Sequence, residues 1–144
     1  MRALTDDEFD AFLASRPGWM VLSTVGADGF PHSVPLGYFR HAESIYLGCR
    51  DNTQKTLNVD RNPRVALLVE SGSTMSDIKG AMVQGTARVH RDAESVLRLM
   101  RRGAAARGVP EAQLPTEARP GSAFIEVQIE RRISWDYGAE TEGA

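Results

Sequence analysis

The first stretch of the chain has the residue spacing of an amphipathic helix. Thr5 and Glu8 match a capping box, in which each side chain bonds to the backbone amide of the other residue. Three apolar residues follow at positions that share one helical face: Phe9, Phe12 and Leu13. The pattern predicts an N-terminal helix within residues 1–17, ended by Pro17 and Gly18.

The pattern then changes to that of β-strands. Residues Trp19–Val25 are largely apolar and β-branched, residues 26–29 are turn formers, and His32–Phe39 is a second strand-like run, which together predict a hairpin. Pro35 lies inside the second strand. Because proline has no amide hydrogen to donate, we expect that strand to lie at a sheet edge or to be bulged.

A short helix is predicted between the third and fourth strands. Ser44–Cys49 predicts the third strand, and Thr53–Arg61 predicts a helix capped by Asn52 or Thr53. Pro63 prevents this helix from continuing into the strand that follows.

The fourth and fifth strands carry two informative patterns. Arg64–Glu70 contains the run Val65–Val69, which is apolar on both faces. Both faces therefore have to be buried, and we expect one to line a barrel interior and the other to meet a partner. Ile78–His90 predicts a long strand, in which Gly80 and Gly85 indicate sharp bends or a close approach of another backbone.

The last third of the chain predicts a helix, a linker and one strand. Asp92 caps the helix, whose apolar face is predicted to consist of Val96, Leu97 and Met100. Proline and glycine are frequent in the linker over residues 109–121. In the final strand three apolar residues, Ile125, Val127 and Ile129, alternate with Glu126, Gln128 and Glu130. Residues 138–144 are expected to fray.

These elements predict a mainly β fold. About six strands joined by tight turns favour antiparallel pairing, and the two glycine-marked positions favour a small barrel with peripheral helices. The strands and helices do not alternate regularly, which argues against a doubly wound parallel sheet. At 144 residues the chain is the size of one domain, so residues 1–144 are expected to form a single unit.

Composition excludes several classes of partner. With 17 basic and 19 acidic residues, the chain has no cationic stripe for nucleic acid, and no apolar run approaches the roughly 20 residues that span a bilayer. We therefore expect neither a nucleic-acid nor a membrane partner. The lone Cys49 cannot form an internal disulfide, and the chain does not start with a signal-peptide pattern, so a cytoplasmic location is expected.

Isolated histidine and cysteine residues offer little chemistry. His32, His41 and His90 are far apart and lack a cysteine at metal-ligand spacing, so we expect exposed or hydrogen-bonded histidines and no metal site. Cys49 has two readings: a nucleophile paired with a distant histidine, or a small buried thiol, which is the commoner case.

The start of the predicted helix at Thr53 has the character of an anion site. Arg50 and Lys55 flank it, and three short polar residues surround it: Asn52, Thr53 and Gln54. Unpaired amides and the helix dipole both favour negative charge there, so a single phosphate is a suitable ligand. In the alternative reading, Lys55 is only solvated and Arg50 pairs with Asp51 or Asp60.

Four segments of the chain resemble one known family. They are residues 21–39, 45–69, 78–92 and 124–136, and the most specific feature is Lys55, eight residues ahead of Pro63 between two strands. Over nearly its whole length the chain is similar to the pyridoxamine 5'-phosphate oxidase-like, FMN-binding split-barrel superfamily. The resemblance implies a six-stranded antiparallel split β-barrel with Greek-key connections. It also implies a homodimer with two cofactors in clefts between the subunits.

The resemblance also implies which residues bind the cofactor. Lys55 would hold its phosphate with Arg50, Thr53 and Gln54 nearby, and Cys49 would lie beside the phosphate or the ring. The strand that runs along the ring would be Ser33, Val34, Pro35 and Leu36. The segment that crosses the cleft would run from Lys79 to Gln84. No catalytic residue is implied.

Departures from the family narrow the expected function. Its pyridoxamine phosphate oxidases carry an additional arginine and lysine on the second strand, where this chain has Val34 and Phe39, and their C-terminal substrate signature is missing. The resemblance therefore implies an oxidoreductase that uses FMN or coenzyme F420 to move a hydride to or from a small conjugated substrate. One alternative is a non-catalytic protein that binds or sequesters FMN, F420 or haem, and another is a dimer without any ligand.

Overall fold

A computed structural model describes residues 1–138 as one curled sheet with three helices on its periphery. The helices are α1 (Asp6–Ala14), α2 (Gln54–Arg61) and α3 (Ala93–Ala106), and a single 3₁₀ turn spans Glu111–Gln113. The strands are β1 (Met20–Val25), β2 (Pro31–Leu36), β3 (Tyr38–His41), β4 (Ser44–Arg50), β5 (Arg64–Ser71), β6 (Lys79–His90) and β7 (Ser122–Asp136). The expected frayed tail lies, apart from Gly138, outside the described residues.

The sheet curls until its two ends meet at Gly37. Its strand order is β2-β1-β5-β6-β7-β4-β3, and all pairs are antiparallel. The strands β2 and β3 stand at opposite ends of this order, although only Gly37 separates them in the chain. The two ends must therefore be neighbours in space, and β2 indeed contacts β4. We call the line where β2 meets β3 and β4 the seam.

The mainly β, antiparallel fold with peripheral helices is confirmed, and the predicted number of strands is wrong by one. The run His32–Phe39 was expected to be one strand, but the chain leaves one ladder at Leu36 and enters another at Tyr38. Glycine suits such a change of direction because it has no side chain to place. Pro35 lies in β2, which is an edge strand as predicted.

Inward-facing residues fill the barrel. Those that are at most 1% exposed include Leu22, Ile45, Leu47, Leu67, Val83, Ile125 and Val127. Helix α1 closes part of the barrel with Phe9 and Leu13, and its capping box at Thr5 is formed as predicted. Helix α2 adds Val59 and the buried Asn58, whose amide donates to Thr24 Oγ1 at 3.0 Å.

Helix α3 packs on the outer face of β3, β4 and β7. Asp92 caps it, as predicted, by accepting a bond from Ser95 N at 2.9 Å. Its buried residues include Val96 and Leu99, which pack against Phe39 and Phe124. The prediction that Leu97 lies on the buried face is wrong, since Leu97 is only half-buried and Leu99 takes that place.

As predicted, Gly80 and Gly85 of β6 each lie very close to atoms of a neighbouring strand, β7. The register between β6 and β7 shifts between Gln84 and Gly85. A side chain at Gly85 would overlap the backbone oxygen of Gln128, and one at Gly80 would overlap the ring of Trp135. The bulge at Gly85 therefore depends on the absence of a side chain.

Strand β5 is covered on one face only. Val65, Leu67 and Val69 point into the barrel, which confirms the inward half of the prediction, whereas Leu68 on the outer face is 38% exposed. Leu68 belongs to a cross-strand set that we call the outer apolar row: Pro35, Val21, Leu68, Met82 and Ile133. A partner for this row remains a prediction.

Candidate functional site

The end of β4 leads directly into the first turn of α2. Thr53, and not Asn52, is the residue that caps the helix. Its hydroxyl donates to the Arg50 carbonyl at 3.0 Å and accepts a bond from Lys55 Nζ at 3.3 Å. These bonds hold the Lys55 ammonium over the N-terminal end of α2.

Positive charge at this end of α2 has no carboxylate partner. Lys55 is half-buried and Arg50 is exposed, and within residues 1–138 neither forms an ion pair. The first amides of a helix have no intrahelical acceptor. Within residues 1–138, the backbone amides of Gln54 and Lys55 likewise donate to no protein acceptor. The arrangement fits an anion with several acceptor oxygens.

The nearby aspartates are paired with a residue that the sequence did not indicate. Arg91 Nε donates to Asp51 Oδ2 at 2.9 Å, and Arg91 Nη2 donates to Asp60 Oδ2 at 2.9 Å. The alternative in which Arg50 pairs with Asp51 or Asp60 is therefore wrong, because Arg91 occupies both carboxylates. No local pattern indicates this contact, since Arg91 is 40 positions from Asp51 and 31 from Asp60.

Cys49 lies next to this site as a packed thiol. It is half-buried, and its side chain contacts the barrel core. Burial raises the pKa of Cys49 to about 11, although the Lys55 charge acts in the opposite direction. At neutral pH the group is a protonated thiol and a poor nucleophile.

Strand β2 brings a second set of predicted residues to the seam. Ser33 and Pro35 face outward, and Val34 and Leu36 are half-buried. Ser33 Oγ lies 2.8 Å from Ser23 Oγ on β1. Among residues 1–138 no strand pairs with the other edge of β2, so its backbone groups are open to a ligand.

Two predicted residues lie elsewhere in the same chain. Lys79 starts β6 in a groove against α1, and Gln84 is exposed on the outer face of the sheet. Helix α2 packs at the other end of β6, where Ala87 N donates to the Pro63 carbonyl at 2.8 Å. Eight residues of strand separate Lys79 from Ala87, which is roughly 25 Å. Within one chain Lys79 therefore does not meet Lys55.

A cleft that the sequence did not indicate opens beside the seam. It has a volume of about 520 Å³, and we call it the seam cleft. Gly37 and Gly48 leave its floor without side chains there. Its other lining residues are aromatic, small or basic, and none is acidic: Arg16, Gly18, Trp19, Tyr38, Phe39, Tyr46, Arg107 and Phe124. Its lining includes Gly37, which follows β2 in the chain, and Gly48, which precedes Cys49 in β4, so the cleft is next in the chain to two segments predicted for the cofactor.

The histidines are spread over the molecule as expected. His90 Nε2 lies 2.7 Å from Glu126 Oε1, and His41 is exposed. His32 differs from the expectation, because its Nδ1 is buried without a hydrogen-bond partner. The described residues include no group of three His, Cys, Asp or Glu side chains that could hold a metal ion. No helix within residues 1–138 has the length and apolar character needed to cross a membrane.

Comparison with protein families gives one match that spans most of the chain. The family model described as pyridoxamine 5'-phosphate oxidase matches residues 5–136. No curated protein sequence matches the chain.

Solved structures share the fold at low sequence identity. A conserved hypothetical protein of Mycobacterium tuberculosis is 24% identical with a TM-score of 0.78, over 93% of this chain and 86% of its own. An F420 reductase is 20% identical with a TM-score of 0.62, over 84% of this chain and 93% of its own. The haem storage protein HutZ of Vibrio cholerae is 18% identical with a TM-score of 0.65, over 94% of this chain and 97% of its own. These likenesses show the split-barrel fold alone.

Proposed function

Because this chain belongs to the pyridoxamine 5'-phosphate oxidase family, we propose that it binds FMN or coenzyme F420 and uses it as an oxidoreductase. The observation that carries the proposal is the half-buried Lys55 ammonium, which has no acidic partner among the described residues and lies over the first turn of α2. The F420 reductase with the same fold supports a deazaflavin as one of the two candidates.

Lys55 and its surroundings suit the cofactor phosphate. The ammonium, the exposed Arg50 and the first amides of α2 offer donors on one side of the site, and Thr53 and Gln54 add polar side chains. A hydrogen bond to a charged group contributes about 1.5–3 kcal/mol. The protonated Cys49 thiol beside this group adds no negative charge that would oppose the phosphate.

The unpaired edge of β2 suits the ring. Its backbone groups between Ser33 and Leu36 can bond to the ring's polar edge. When bound, FMN or F420 supplies the hydride chemistry, and the chain supplies position and exclusion of water.

The seam cleft is the place proposed for the substrate. Its aromatic walls and the absence of acidic lining residues suit a small conjugated molecule, and Arg16 and Arg107 at its border suit one with negative charge. Val34 and Phe39 replace the basic residues of true pyridoxamine phosphate oxidases, and Phe39 stacks on Tyr46 with ring centroids 5.1 Å apart. Pyridoxamine phosphate is therefore not the substrate proposed.

A homodimer is part of the proposal. The outer apolar row crosses five neighbouring strands on the face opposite the core, and a second copy of the chain would remove it from water. In such a dimer we expect Lys79 of a second copy, and not that of the same chain, to reach the cofactor held by Lys55, since within one chain Lys79 is roughly 25 Å along β6 from Ala87. Gln84 stays a predicted contact of the cofactor.

Leu68→Asp is expected to dissociate the proposed dimer. A carboxylate in the middle of the outer apolar row would lose its hydration in the interface, so we expect the dissociation constant to rise at least about tenfold. Leu57→Asp is the matched control, because Leu57 is also exposed, at 46%, but lies on α2. Sedimentation equilibrium measures both variants. A wild-type monomer, or equal dissociation of the two variants, would contradict this interface.

Turnover distinguishes an oxidoreductase from a sequestering protein. HutZ shares the fold and is a haem storage protein, so binding alone does not separate the two activities. We expect the protein, loaded with whichever of FMN or F420 it binds and reduced without oxygen, to be reoxidised by at least one compound of a panel of conjugated acceptors. The bound ring's absorbance reports this. Tight binding with no reoxidation across the panel would favour the sequestering alternative.

A further inference from the structure

One guanidinium connects both ends of α2. Arg91 follows β6 directly and binds Asp51 through two bonds, from Nε at 2.9 Å and Nη2 at 3.1 Å. The same guanidinium binds Asp60 through Nη2 at 2.9 Å and Nη1 at 3.3 Å. Fork-like pairing of this kind is specific to arginine, because its donors lie in one plane.

The two carboxylates occupy different places relative to the candidate phosphate site. Asp51 lies in the segment between β4 and the helix cap, and Asp60 lies in the last turn of α2. Asp51 is also fixed by its backbone, whose amide donates to the Gly121 carbonyl at 2.8 Å. Its carboxylate accepts a bond from Asn52 N at 2.7 Å, so it lies beside the residue that precedes the helix cap Thr53, whereas Asp60 is carried by the last turn of α2.

The segment between β4 and α2 holds Asp51 close in the chain to the group that binds Lys55. Lys55 Nζ bonds to Thr53 Oγ1 at 3.3 Å, and Thr53 follows Asp51 by two residues. The pKa of the neighbouring Cys49 thiol agrees with this arrangement, since burial raises it, the Lys55 charge lowers it and the Asp51 charge raises it. An unpaired Asp51 would repel a phosphate near this segment and would be an alternative partner for the Lys55 ammonium.

We propose that Arg91 is a positioning residue for the phosphate site: by binding Asp51 it keeps that carboxylate from pairing with Lys55 and neutralises its charge. The inference rests on the proposed cofactor site and adds to it a residue that does not itself touch the cofactor. Asp60 serves as the second anchor of the guanidinium and fixes its direction toward Asp51.

Double substitutions separate this role from a purely structural one. FMN and F420 are each titrated into the full-length apo protein, and the tighter ligand is used. Arg91→Ala is expected to weaken binding about tenfold or more, because Asp51 is then unneutralised. Adding Asp51→Asn to Arg91→Ala removes the unpaired charge and is expected to restore affinity to within about threefold of wild type. Adding Asp60→Asn is the matched control and is expected not to restore it, since Asp51 remains charged.

If Arg91→Ala does not fold, the cofactor affinity of the single variant Asp51→Asn tests the same inference. It leaves Arg91 in place and removes a negative charge, so affinity is expected to stay equal or to rise. A purely structural clamp predicts a fall instead. An unchanged affinity in Arg91→Ala, equal rescue by the two asparagines, or a fall in Asp51→Asn would overturn the inference while leaving the cofactor site intact. A wild-type protein that binds neither FMN nor F420 would overturn the proposed function, and this inference with it.

Discussion

Lys55→Ala is expected to lower the affinity for the bound cofactor by about 10- to 100-fold. The substitution removes a charge-assisted bond to the phosphate of about 1.5–3 kcal/mol, and each 1.4 kcal/mol corresponds to about tenfold in affinity. Lys55 is half-buried on the surface of α2, and among residues 1–138 its ammonium bonds only to Thr53, so the substitution leaves the barrel core untouched. Fluorescence or calorimetric titration of FMN and F420 measures the effect.

Arg98→Ala is the control for the loss of one positive charge. Arg98 is exposed on α3 and makes no ion pair among the described residues. Its substitution is expected to leave cofactor affinity within about twofold, because salt screens exposed charges that do not contact the ligand. If Lys55→Ala and wild type bound the cofactor with equal affinity, the cofactor phosphate would not be bound at α2.

Gly85→Ala is expected to destabilise the fold by about 1–3 kcal/mol or more. A methyl group at this position would overlap the backbone oxygen of Gln128 and lie 2.9 Å from Val127 Cγ1. The neighbouring strand cannot yield without breaking the ladder between β6 and β7, which runs through the middle of the sheet. Denaturant unfolding measures the free energy of unfolding.

Gly18→Ala is the matched control for the glycine substitution. The nearest atom to a methyl group at Gly18 would be the Glu70 carbonyl oxygen at 3.8 Å, an ordinary contact. We expect the free energy of unfolding to change by less than about 1 kcal/mol. Similar losses in both variants would mean that Gly85 is not held by a special contact.

Local patterns predicted most of the elements because the interactions that form them are local. The capping box at Thr5 and the Asp92 cap join residues three positions apart, and both are present. The alternation in the final strand likewise places Ile125 and Val127 in the core. The strand around Pro35 was misjudged in one respect: the break at Gly37 exists because the curled sheet brings its two ends together, which no local pattern contains.

The sequence predicted the residues around Lys55, but it did not predict Arg91 or the seam cleft beside them. Lys55 and its neighbours are consecutive in the chain, so their grouping follows from the helix start. Arg91 enters from the end of β6, and the seam cleft combines residues of β3, β4 and β7 with Arg107, which follows α3. Such groupings depend on tertiary structure. Lys79 shows a limit of the resemblance, which implied a place in the site, whereas within one chain Lys79 lies in a groove against α1, roughly 25 Å along β6 from Ala87.

The central claim is that the chain binds its cofactor through the phosphate at Lys55. Its most direct test is the ratio of affinities for FMN and riboflavin, which differ only in the phosphate, measured in wild type and in Lys55→Ala; if F420 is the ligand, its chromophore without the phosphate takes the place of riboflavin. We predict that wild type prefers the phosphorylated ligand at least about tenfold and that Lys55→Ala loses most of this preference. Equal affinities of wild type for the two ligands, or a preference that Lys55→Ala retains in full, would contradict the account.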